Sequence, residues 1–127
     1  MNTQSVTKTL VLLDDDANVL KALQRELTQQ GCEIHTFTRP LDALNLLQHR
    51  PVDVILSDLC MPQMDGREFL RQAAALQPQA VLITLSGYLE EEQAQHPVSD
   101  ASWRKLEKPW CSTELRNTIA EALALSA

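Results

Sequence analysis

Residues 52–66 read VDVILSDLCMPQMDG, and the spacing of their apolar positions decides the fold. Val52, Val54, Ile55 and Leu56 form a short run broken only by Asp53, not a helical stripe and not a long alternation. A run this short, bounded by polar residues, fits a strand buried on both faces, as in a parallel sheet covered by helices. It leads into Ser57 and Asp58, a hydroxyl and a carboxylate at the point where the strand should stop.

The same pattern recurs on either side. Thr9 to Leu13 and Ala80 to Leu85 are further continuous runs. Glu33 to Phe37 alternates and suits a strand nearer the sheet edge, and Trp103 to Glu107 supplies a fifth strand. Between the runs lie stripes at helical spacing. Val19, Leu20, Leu23 and Leu27 form one that stops near Gly31, and Leu41, Leu44 and Leu47 form another behind Pro40. Phe69, Leu70, Ala73 and Leu76 precede Pro78, and Leu115, Ile119, Ala122 and Leu123 follow the candidate cap Ser112. Tyr88 to Ser102, with Glu90, Glu91, Glu92 and Pro97, offers few apolar anchors, so the helix expected there is short or irregular. Alternating strands and helices with short connections predict an α/β doubly wound sheet of five parallel strands, with helices on both faces. Residues 1–127 are expected to make a single domain with its core at about 7–125.

Charge narrows the partners. The 127 residues carry 17 acidic and 11 basic side chains, for a net charge of −6 and a pI near 4.9. Phosphate backbones and anionic membranes are recognised by clustered Lys and Arg, so neither direct nucleic-acid binding nor membrane association is expected. Cys32, Cys60 and Cys111 are three, far apart and without a CxxC pair, which suggests neither a disulfide framework nor a thiolate zinc site. Without a signal peptide or an apolar segment of about 20 residues, a cytoplasmic location is expected.

In doubly wound sheets, ligands bind beyond the carboxyl ends of the strands. The runs here end in Asp14-Asp15-Asp16, Ser57-Asp58, Ser86-Gly87 and Lys108-Pro109. Singly, each has an ordinary explanation: Asp caps helices, Ser-Gly makes turns, and a lysine before proline is commonly solvated. Together they deliver carboxylates, a hydroxyl and an ammonium to one rim. Carboxylates 4 Å apart repel by about 4 kcal/mol per pair at an effective dielectric of 20, so cations must balance them. Hard oxygen ligands suit Mg²⁺, which keeps coordination positions for phosphoryl oxygens. An aspartate can then act as nucleophile toward phosphorus, with Lys108 and Ser86 meeting the arriving oxygens.

The segments LVLLDDD (10–16), DVILSDLCMPQMDG (53–66), VLITLSGY (81–88) and LEKPW (106–110) resemble the receiver domain of bacterial two-component response regulators over nearly the whole chain. The resemblance implies the flavodoxin-like receiver fold. It also implies that Asp58 accepts a phosphoryl group from a sensor histidine kinase or histidine phosphotransfer protein, making the chain a phosphorylation-controlled switch that catalyses only its own phosphorylation and dephosphorylation. Asp14, Asp15, Asp58 and the backbone carbonyl of Cys60 would hold Mg²⁺. Ser86 and Lys108 would bind the phosphoryl group, Pro62 and Gly66 would shape the loop, and Cys60 and Tyr88 would tune the lifetime of the phosphoryl group. A downstream protein or a second copy of the chain would read the signal.

One position departs from the pattern. Receivers carry an aromatic residue three positions before the lysine, where this chain has Lys105; Trp103 is the nearest aromatic. A receiver-like scaffold that is never phosphorylated is one alternative. A small Mg²⁺-dependent phosphatase, with Asp14 as nucleophile, is another.

Overall fold

The computed structural model describes residues 7–59, 61, 64–87 and 103–125. Its strands are β1 (Thr9–Leu13), β2 (Glu33–Phe37), β3 (Val54–Asp58), β4 (Val81–Ser86) and β5 (Trp103–Glu107). Among the described residues four α-helices connect or follow them: α1 (Ala17–Leu27), α2 (Pro40–Leu47), α3 (Gly66–Leu76) and α4 (Ser112–Leu125). The whole segment expected to hold a short helix before β5, Tyr88 to Ser102, lies outside the described residues, as do Cys60 and Pro62.

The five strands form one parallel sheet in the order β2-β1-β3-β4-β5. The chain therefore steps outward from β1 to β2, then returns past β1 to lay down β3, β4 and β5. That reversal sets the carboxyl ends of β1 and β3 side by side with no helix crossing between them, which opens the crevice where such sheets bind ligands.

Period-two alternation explains why the strands read as unbroken apolar runs. Leu10 and Leu12 pack with Leu20, Leu23 and Leu27 of α1 and with Leu115, Ile119 and Ala122 of α4. Val11 and Leu13, one residue out of phase, pack with Ala43, Leu44 and Leu47 of α2 and with Phe69, Leu70 and Ala73 of α3. Both faces are covered, so every residue of β1, β3 and β4 is buried. β2, at the sheet edge, holds only exposed and half-buried positions.

Element ends differ slightly from the sequence expectations, for identifiable reasons. β3 begins at Val54, not Val52, because Asp53 is drawn into a cap: its N–H donates to Thr9 O (3.0 Å) and its carboxylate accepts from Thr9 N (2.7 Å). At its other end the strand runs on through Ser57 and Asp58, which pair with Thr84 and Leu85 of β4. α1 ends in a 3₁₀ turn at Thr28–Gln30, and Gly31 closes it at φ 73°, the left-handed conformation that glycine adopts without steric cost. In α2 the buried stripe is Pro40, Ala43, Leu44 and Leu47, whereas Leu41, expected in it, is 70% exposed.

Gln77, just past α3, joins two connections. Its amide oxygen accepts from Val52 N (3.1 Å), and its amide nitrogen donates to Leu47 O and Arg50 O (2.8 Å each). Gln77→Ala would leave these part-buried groups short of partners, and a loss of about 1–2 kcal/mol is expected. Urea unfolding checks this as a lower midpoint at unchanged m.

Candidate functional site

The three consecutive aspartates after β1 have three separate placements. Asp16 is the N-cap of α1, its Oδ1 accepting from Asn18 N at 2.9 Å. Asp15 is exposed at the rim. Asp14 is fully buried; its Oδ1 accepts from Asp16 N at 2.9 Å, and its own N–H donates to Phe37 O at 3.2 Å. The ordinary helix-cap explanation thus holds for Asp16 and fails for Asp14.

Strand register brings the other groups to the same level. Leu13 pairs with Ser57, so Asp14 continues β1 alongside Asp58, and Asp58 in turn pairs with Leu85. Asp58 shares the parity of Val54 and Leu56, Asp14 that of Leu10 and Leu12, and Lys108 that of Leu106, all on the sheet face packed by α1 and α4. The side chains meet accordingly. Lys108 Nζ lies 3.1 Å from Asp14 Oδ2 and 3.4 Å from Asp58 Oδ1. Carboxylate oxygens of Asp14, Asp15 and Asp58 lie within 4.8 Å of one another.

This pocket is electrostatically strained. Burial pushes the Asp14 carboxyl above the usual carboxylate range, only partly opposed by the Asp16 N–H and the Lys108 ammonium. For Lys108, burial favours the neutral amine, but the close contact with Asp14 and the charges of Asp58 and Asp14 outweigh it and raise its pKa. Although Asp14 Oδ2 is within ion-pair distance of Lys108, it has no well-aligned hydrogen bond and is buried. That oxygen retains the capacity to accept from a cation.

The remaining expected site residues are placed as follows. Ser86 is buried at the end of β4, and its carbonyl accepts from Lys108 N at 2.8 Å, which ties the last two strand ends together. Lys105 is exposed on β5, opposite Thr84. Gly66 is the first residue of α3, with its N–H donating to Leu59 O at 3.0 Å. The need for glycine at position 66 is not a left-handed backbone, since among the described residues only Gly31 has positive φ. Close approach is the actual constraint: a Cβ at Gly66 would stand 2.3 Å from Asp58 O and 2.5 Å from Leu59 Cα. Sequence reading did not connect Glu26 with Trp110, whose indole N–H donates to Glu26 Oε2 at 2.8 Å. No local periodicity links positions so far apart in the chain.

Residues 10–120 match the family of response regulator receiver domains. This chain belongs to that family. The receiver domain is 30% identical to the response regulator receiver protein CpdR of Brucella abortus (strain 2308), covering 91% of this chain and 97% of that protein. It is 31% identical to part of the sensor kinase CckA of the same organism, over 94% of this chain but 13% of that protein. Against the hydrogenase transcriptional regulatory protein HoxA of Cupriavidus necator it spans 24% of the relative's length. Several relatives are thus much longer proteins. Among solved structures, the signal receiver domain of an HD domain-containing protein from Pseudomonas fluorescens Pf-5 superposes with a TM-score of 0.82 at 29% identity, covering 94% of this chain and 96% of that one. A CheY-like receiver domain protein from Methanospirillum hungatei JF-1 gives 0.81 at 25% identity, covering 94% and 95%. The receiver domain is a signalling domain, not a conventional enzyme, and none of its described helices is long and apolar enough to cross a membrane.

The acidic cluster fits a hard divalent cation. Three carboxylates converge, one of them exposed and so open to solvent, and the buried Asp14 Oδ2 has acceptor capacity to spare. Oxygen-only donors with a solvent-facing side match Mg²⁺, which binds through one or two carboxylates and retains waters.

Proposed function

We propose that Asp58 is the phosphoacceptor of a cytoplasmic receiver domain comprising residues 1–127, with Mg²⁺ held by Asp14, Asp15, Asp58 and the Cys60 carbonyl. The observation that carries the proposal is the Lys108 ammonium set between Asp14 and Asp58 at the buried strand ends. An Asp58 oxygen attacks the phosphorus of a phosphohistidine on a sensor histidine kinase or phosphotransfer protein. The P–N bond breaks, and the imidazole nitrogen keeps its electron pair. Lys108 is already aimed at the carboxylate that attacks, so the arriving phosphoryl oxygens meet a cation without reorganisation. Bound Mg²⁺ supplies the further positive charge that phosphoryl transfer needs.

Ser86 donates its hydroxyl to the phosphoryl group, Pro62 and Gly66 shape the loop after β3, and Cys60 and Tyr88 govern the access of water to the acyl phosphate. Phosphorylation adds about −1.5 to −2 charge at this one rim. A shift from 1:99 to 99:1 between two states needs about 5.5 kcal/mol of differential stabilisation. Lys105 replaces the aromatic lever expected on β5, so the output surface read by a downstream protein or a second copy is specialised in this chain. A phosphatase using Asp14 as nucleophile would leave the Asp58 carboxylate beside Lys108 without a role.

Incubation of the protein with Mg²⁺ and acetyl phosphate tests the proposal. Intact mass should show a single added phosphoryl group, absent from Asp58→Asn and absent when EDTA replaces Mg²⁺. Wild-type protein that stays unmodified, and shows no spectral change with beryllofluoride, would favour a scaffold that is never phosphorylated. Phosphate-ester turnover that survives Asp58→Asn would point to the phosphatase.

A further inference from the structure

Beyond Lys108 the chain turns through Pro109, Trp110 and Cys111 into α4. What holds that turn is a contact with α1. Trp110 is partly buried against the cluster shared by α1 and α4, and its Nε1 donates to Glu26 Oε2 at 2.8 Å across 84 residues of sequence. The other Glu26 oxygen faces Arg116 Nη1 of α4 at 3.9 Å. A longer bond, Gln30 Nε2 to Arg116 O at 3.3 Å, ties the 3₁₀ turn after α1 to the same helix.

These contacts form a closed circuit. Asp14 anchors the start of α1 by accepting from Asp16 N, and the last turn of α1 carries Glu26. Glu26 holds Trp110, two residues after Lys108, and the Lys108 ammonium returns to Asp14 at 3.1 Å. The backbone of Lys108 is pinned on one side by Ser86 O. The Glu26–Trp110 bond pins the chain on the other, so the reach of the ammonium is set at both ends.

We infer that Glu26 and Trp110 are positioning residues for Lys108, a strap from α1 to the β5–α4 turn that sets the ammonium's distance from the phosphoryl group on Asp58. The inference rests on the phosphoacceptor reading. The Trp110 N–H keeps the Glu26 carboxyl below the usual range. A charged acceptor makes the bond short and directional. Small displacements of a charge that must meet a transferring group are costly, so loss of the strap should reach the site without any contact to it.

The test is beryllofluoride affinity of the full chain at saturating Mg²⁺, read by ¹⁹F NMR, with thermal unfolding midpoints recorded alongside. Trp110→Phe keeps an aromatic ring but loses the N–H, and Glu26→Ala loses the acceptor. Each should bind beryllofluoride about tenfold more weakly than wild type. Glu26→Gln keeps an acceptor oxygen and should stay within about twofold, and the double variant Trp110→Phe/Glu26→Ala should bind no more weakly than either single one. Lowered midpoints with wild-type affinity would overturn the strap and leave the bond a contribution to folding alone. Single effects that add in the double variant would overturn it too. If wild type takes up neither beryllofluoride nor the phosphoryl group of acetyl phosphate, both the phosphoacceptor reading and the strap fall. Uptake by wild type with affinities unchanged in Trp110→Phe overturns the strap alone.

Discussion

Gly66→Ala is expected to destabilise the protein by about 3 kcal/mol or more, a value at the upper end for a single added methyl group. The added Cβ would stand 2.3 Å from Asp58 O and 2.5 Å from Leu59 Cα. Both are backbone atoms, one of them in the last residue of β3, so no rotamer change relieves the clash. Either α3 moves outward, opening its contacts through the fully buried Phe69 and Leu70, or the end of β3 moves and takes Asp58 with it. The second route displaces the carboxylate from Lys108, so phosphoryl uptake from acetyl phosphate should fall together with the urea midpoint. Gly31→Ala is the internal comparison. Nothing lies within 4 Å of a Cβ there, but φ is 73°, so the cost is conformational strain of about 1 kcal/mol and the site is untouched.

Lys108→Met should produce the second large effect, and one whose size depends on pH and on Mg²⁺. The lysine side chain is 29% exposed while Asp14 is fully buried, so its removal leaves carboxylates in a low-dielectric pocket without their cation. Breaking buried pairs costs about 3–5 kcal/mol; with Lys108 partly solvated, about 2–3 kcal/mol is expected near neutral pH without metal. The sign follows from linkage. The folded-state pKa of Asp14 is raised, so the stability tied to its protonated form is fully present below the ordinary value of 3.8 and is lost as pH rises through the folded value. Removing Lys108 raises that folded value further, so the deficit of the variant should shrink steadily as pH is lowered from neutrality. The Lys108 pKa is also raised, so its contribution is complete below the ordinary value of 10.5 and is lost as pH climbs through the folded value. Wild type should therefore weaken at strongly alkaline pH in a way that Lys108→Met does not. Mg²⁺ should restore much of the variant's neutral-pH stability by replacing one cation with another, adding about 1.4 kcal/mol at ten times its dissociation constant. Chemical unfolding across pH, with and without Mg²⁺, measures all of these. A deficit independent of pH and of metal would show that Lys108 contributes packing and not charge.

Phosphoryl retention should not recover with Mg²⁺ in Lys108→Met. The metal neutralises the resting carboxylates, but the second cation that the phosphoryl oxygens require would still be missing.

Much of the fold and much of the site was legible in the chain itself, because each signal was local. Continuous apolar runs at Thr9 to Leu13 and Ala80 to Leu85 required a sheet covered on both faces, and the alternation of Glu33 to Phe37 required an edge. The polar residues that follow those runs had to fall at one rim, since parallel strands all end on the same side. Legibility failed where an outcome depends on residues distant in the chain. Leu41 fits the helical stripe of α2 yet stands in solvent, because which residues of a helix are covered depends on where its neighbours lie. The requirement for glycine at position 66 comes from the backbone at the end of β3 passing too close for a Cβ, which no neighbouring residue announces.

The sequence by itself determined the layered α/β class, the strand-end placement of Asp14, Asp15, Asp58, Ser86 and Lys108, and the clustering of acids that calls for a cation. Short-range periodicity and covalent order carry that information. Only the tertiary structure decided how three adjacent aspartates divide their roles: Asp16 caps a helix, Asp15 faces solvent, and Asp14 is buried against Lys108. It alone showed that the turn after Lys108 is held by Glu26. The physical reason is the same in both cases. Burial and long-range hydrogen bonds depend on the strand order and on helices packing across the sheet, and neither leaves a mark on the residues next to them in the chain.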